Sequence, residues 1–80
     1  MQTIVDVVVE KLNYYMGEQN LSQHKLAVQS GLPYSTVKAI MRKASKTIDF
    51  KTIIMLADGL GIHVSEFVSG NKFTTEYLDL

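Results

Sequence analysis

Residues Gln23 to Arg42 read Gln-His-Lys-Leu-Ala-Val-Gln-Ser-Gly-Leu-Pro-Tyr-Ser-Thr-Val-Lys-Ala-Ile-Met-Arg. Two short helices joined by one tight turn satisfy this stretch. Ala27 is small where a second helix must come close. Gly31 stands past the end of the first helix, where a left-handed residue is needed and glycine supplies it without steric cost. Val37 and Ile40 are three apart, so they share the inward face of the second helix. Helices at this spacing cross near a right angle, the arrangement of a helix-turn-helix, whose second helix can enter a DNA major groove.

The flanks supply three more helices. Val5, Val8, Val9, Leu12, Tyr15 and Met16 recur at helical spacing and predict a helix from about Ile4 to Met16. Thr3 can cap it, and Asp6 three residues later completes a capping-box pattern at its positive end. Ser22 caps the next helix, with Leu21 placed to staple against Leu26. Pro33 suits the first turn of the third helix, where its missing amide hydrogen is not needed. A loop is expected over 44–48. Asp49 then caps a fourth helix lined by Phe50, Ile53, Ile54, Ala57 and Leu60 and ended by Gly61. A short fifth helix is expected from about Val64 to Val68, before Ser69-Gly70-Asn71 breaks the pattern.

Eighty residues, 46% of them hydrophobic, suffice for one core. Stability is expected at roughly 4–12 kcal/mol. No cysteine is present, so there is no disulfide framework, thiol nucleophile or thiolate metal site. Neither a signal peptide nor a membrane span is expected, and a cytoplasmic location suits the composition.

Net charge is zero, but it is unevenly spread. Residues 1–21 carry −2, with Lys11 set against Asp6, Glu10 and Glu18. Residues 22–51 carry +5, from Lys25, Lys38, Arg42, Lys43, Lys46 and Lys51 against Asp49. Residues 52–80 return to −3. Screening confines charge effects to about 8–10 Å at physiological salt, so a local basic face matters more than the total. The alternative is that these are lysines scattered to keep the surface solvated.

From about Ile4 to Val68 the chain resembles the Cro/repressor-type, or XRE, helix-turn-helix family. One block is Asn20-Leu21-Ser22-Gln23, Lys25-Leu26-Ala27, Ser30-Gly31-Leu32 and Ser35-Thr36-Val37. A second is Thr52-Ile53, Leu56-Ala57-Asp58-Gly59-Leu60-Gly61-Ile62 and Glu66-Phe67. The resemblance implies an all-α, compact five-helix, lambda-repressor-like domain that binds operator DNA, commonly as a two-fold dimer. Residues 1–70 would form this domain, with the helix-turn-helix at about 22–42, and residues 71–80 a short C-terminal tail.

If Val37 and Ile40 face the core, Tyr34, Lys38 and Arg42 project outward with Ser35 beside them. Lys38 can donate to guanine O6 or N7, Ser35 can donate or accept, and Tyr34 can meet a sugar or a thymine methyl. The resemblance assigns base reading to the positions of Tyr34, Ser35 and Ala39, with Lys38 nearby. Ala39 departs from the long polar side chains common there and offers only a methyl. The resemblance also places Gln23 on the DNA backbone. Thr36, Arg42, Lys43 and Lys46 are positioned for phosphates at and beyond the far end of the third helix. The inert alternative is that Tyr34 covers a helix end and Lys38 is merely solvated. Two further departures are Met41, where the family often has an acid, and Lys43, where a glycine commonly ends the helix.

Enzymatic chemistry finds no support. His24 and His63 are far apart in sequence, with no cysteine and no carboxylate at metal-ligand spacing, so neither a metal nor a cofactor is expected. Partners are more open. Ile4, Val7 and Tyr14 form a second apolar stripe on the first helix, and Phe73, Tyr77, Leu78 and Leu80 make the tail too apolar for a disordered one. These, with Phe67, are expected to bury a self-complementary dimer surface. The competing expectation is that the tail folds back on its own domain. The expected function is a sequence-specific regulator that represses by occupying a palindromic operator as a homodimer. An antitoxin-like or antirepressor module, acting through a regulatory protein partner, is the alternative.

Overall fold

The computed structural model describes residues 2–70, 72–74 and 78. Five helices follow in chain order: α1 (Ile4–Gln19), α2 (Gln23–Ser30), α3 (Tyr34–Met41), α4 (Phe50–Leu60) and α5 (Val64–Phe67). No strand occurs among the described residues; Gln2 and Leu78 make one isolated parallel bridge. The all-α, five-helix architecture expected of the chain is the one it adopts.

Helix starts follow local chemistry. Thr3 and Asp6 close the capping box on α1: Thr3 Oγ1 accepts from the Asp6 N–H at 3.2 Å, and Asp6 Oδ2 accepts from the Thr3 N–H at 2.9 Å. Ser22 caps α2 through the Lys25 N–H and Asp49 caps α4 through the Thr52 N–H. Pro33 sits one position earlier than expected, as the N-cap of α3, where its carbonyl accepts from Thr36 and Val37. His63 Nδ1 accepts from the Ser65 N–H and so opens α5.

The ends of α1 to α4 share one device. A left-handed residue bonds back three residues while its successor bonds back five, leaving few orphan carbonyls. Gly31 and Gly61 do this on α2 and α4. Asn20 does it at φ 53, which carries α1 three residues past its expected end at Met16. Lys43 does it at φ 57, with Lys43 N–H bonded to the Ile40 carbonyl and Ala44 N–H to the Ala39 carbonyl. The missing glycine therefore does not loosen α3; a lysine takes the strained conformation, at about 1–2 kcal/mol.

The core is built from Val8, Leu12 and Met16 of α1, Leu26 and Ala27 of α2, Val37 of α3, Ile53, Leu56, Ala57 and Leu60 of α4, and Phe67. Ile40 and Met41 are half-buried against it, so the unusual Met41 acts as packing. Two expectations need correction. Phe50 is 61% exposed and Ile54 also lies outside, because the buried face of α4 is the 53/56/57/60 stripe and Phe50 lies one turn before it. Val7 belongs to no exposed stripe; it is buried, as are Val5 and Val9, leaving Tyr14 as the exposed apolar residue of that face.

The described residues at and beyond the end of α5 contact their own domain. Leu78 is buried beside Gln2, Lys72 pairs with Glu10 at 2.8 Å, and Lys11 donates to the Ser69 carbonyl at 2.9 Å. Phe67 is fully buried and Phe73 half-buried against the core. Within the single chain, Phe67 and Leu78 are thus covered by their own domain. Tyr77 and Leu80 lie outside the described residues. No described helix is long and apolar enough to cross a membrane.

Candidate nucleic-acid interface

α3 is anchored by its inward face and offers the other to solvent. Val37 is buried; Ile40 is half-buried. Tyr34, Ser35, Lys38 and Arg42 are exposed on the opposite side, and Ala39 and Thr36 are half-buried. Tyr34, Ser35 and Lys38 are thus exposed on α3 itself, and Arg42 just past its end. Ala39 and Ser35 border a hollow of about 320 Å³ whose wall includes Val5, Ile40 and Ala44. Ser35 and Ala39 bring only small side chains to it.

The phosphate candidates divide into two kinds. Arg42 and Lys46 are exposed, with no acidic partner among the described residues. Lys43 is held differently: its Nζ lies 3.2 Å from Asp6 Oδ1. The left-handed backbone at Lys43 turns its side chain back toward the start of α1. Gln23 is half-buried in the first turn of α2. Its helix start and that of α3 are joined by a contact between rings, His24 and Tyr34, with centroids 5.2 Å apart and planes at 53°. Helical spacing puts His24 on the outside of its helix but gives no sign of this pairing, since it depends on the crossing of two helices.

Asp6 has a dual role. The Thr3 N–H chiefly, and the Lys43 ammonium next, hold its carboxyl below the ordinary 3.8. Lys72 does the same for Glu10, and the Thr52 cap for Asp49. A carboxyl whose folded pKa is depressed adds stability above its unfolded pKa and loses it as pH falls through the folded one. The thermal midpoint should therefore start to fall below about pH 4.5, the upper end of ordinary carboxyl titration. Asp6→Asn should flatten the decline and lower the neutral-pH midpoint; an acid limb identical to that of the parent chain would contradict this origin. Among the described residues no group of three or more His, Cys, Asp or Glu is gathered to hold a metal.

A further residue escapes a reading of the sequence. A Cβ on Gly59 of α4 would lie 2.8 Å from Ser30 Cβ and 2.9 Å from its Cα and N. Gly59 thus sets how closely α4 approaches the end of α2, and so how the helix-turn-helix is seated on the core. A glycine inside an otherwise helical apolar pattern is the available signal.

Comparison with known proteins agrees with this geometry. The family model described as helix-turn-helix matches residues 12–67. The chain is similar to a solved structure described as "Crystal structure of the prophage Lp1 protein 11", with 31% identity over 100% of both chains and a TM-score of 0.74. No curated protein matches.

Proposed function

This chain belongs to the Cro/repressor-type helix-turn-helix family of DNA-binding regulators, and from that membership we propose a repressor that occupies a palindromic operator as a homodimer. α3 enters the major groove. Tyr34, Ser35, Lys38 and Ala39 face base edges; Gln23, Thr36, Arg42, Lys43 and Lys46 hold phosphates. The observation that carries this proposal is the outward row Tyr34, Ser35, Lys38 and Arg42 on a helix whose other face is locked by Val37. Base contact from Ala39 is limited to a methyl, so Lys38 bears most of the direct readout. Lys43, tied to Asp6, contributes less to phosphate binding than Arg42 or Lys46.

Selection of binding sites from random duplex DNA at physiological salt tests the proposal. Recovery of a palindrome with half-sites about one helical turn apart is expected. Weak binding without sequence preference would instead favour a protein-interaction module on the same fold.

A further inference from the structure

Tyr34 opens α3 with 44% of its surface exposed, and the ring of His24 on α2 lies against it. A phenol at a helix start samples several rotamers unless something restrains it. Here a second ring, tilted by 53° at a centroid distance of 5.2 Å, lies within the range where aromatic pairs attract. The support comes from α2, the helix that also carries Gln23, and not from α3 itself.

We propose that His24 is a specificity-setting positioning residue. It holds Tyr34 in the orientation that reaches a base edge, and so sharpens discrimination at the base pair beneath the start of α3. Because His24 is the second residue of α2 and neighbours Gln23, seating of α2 on the DNA backbone and aim of Tyr34 are mechanically joined. This rests on the DNA-reading role proposed above for α3.

The full chain is compared with His24→Ala, His24→Phe, Tyr34→Ala and the His24→Ala/Tyr34→Ala double variant. Binding is measured on the selected site and on versions changed at single base pairs. His24→Ala should reduce discrimination at one base pair about two- to tenfold, the scale of an aromatic pair. The dependence on salt should stay unchanged, His24→Phe should restore most of the discrimination, and the double variant should be no worse than Tyr34→Ala. Additive losses would overturn the proposal. So would a changed salt slope with base preference intact, which would make His24 a phosphate contact instead.

A second measurement needs no DNA. The ring resonances of Tyr34 should shift in His24→Ala, and unshifted resonances would overturn the contact itself. A parent chain with no preferred DNA site but with those shifts would locate the failure in the proposed function, and would end the specificity role with it.

Discussion

Gly59→Ala is expected to destabilise the protein by about 2 kcal/mol, and so to lower its melting temperature by roughly 8–16 °C. Ala is the better helix former by about 1 kcal/mol, so helix propensity alone predicts the opposite sign. Packing wins because the added methyl would meet Ser30 backbone atoms at 2.9 Å, and backbone cannot rotate aside as a side-chain tip can. α4 must back away from α2, opening the core around Leu26, Leu56 and Leu60. Gly17→Ala supplies the contrast. Gly17 lies in α1 facing open space, where an added methyl would meet nothing within 4 Å, so that change should stabilise by about 0.5–1 kcal/mol. Thermal denaturation of both variants checks the pair; a stabilised Gly59→Ala would mean the helices are not pinned at this crossing.

Lys38→Ala is expected to weaken binding to the selected operator by about 10- to 100-fold, the worth of one good base contact. Binding to unrelated duplex should change far less. Arg42→Ala with Lys46→Ala should do the reverse, lowering affinity for all sequences alike. It should also flatten the slope of log K against log salt by about two units, near one per phosphate contact. Lys43→Ala should move the slope less than Lys46→Ala, since its ammonium already lies 3.2 Å from Asp6. Titrations of specific and random duplex across salt concentrations separate these roles. Equal losses on both duplexes for Lys38→Ala would remove it from base readout.

These two predictions come from different depths of information. Lys38 can be chosen from its position relative to Val37, because the period of one helix settles which side chains point together. Gly59 cannot be weighed that way. Its consequence depends on where Ser30, in another helix, comes to lie. The same division runs through the fold. Phe50 and Ile54 match the apolar spacing of α4 and yet lie outside: Phe50 stands a turn before the neighbours begin, and Ile54 lies at the edge of the buried 53/56/57/60 stripe, whose width only the packing sets. Val7 falls on an outer stripe by spacing alone, and only the packing around α1 buries it.

By itself, the sequence determined what operates within a turn or two of chain. Caps at Thr3, Ser22 and Asp49, left-handed ends at Gly31 and Gly61, and the inward spacing of Val37 all depend on bonds or contacts between residues a few positions apart. The stretch from Gln23 to Arg42 carries enough of them to specify the helix-turn-helix. Only the tertiary structure decided contacts whose geometry follows from how whole helices cross: Gly59 under Ser30, Lys43 drawn to Asp6, His24 against Tyr34, and Leu78 beside Gln2. Local hydrogen bonding selects each helix and its ends, whereas the packing of one shared core selects their mutual placement. Which side chains support α3 was therefore settled by the core, not by the motif.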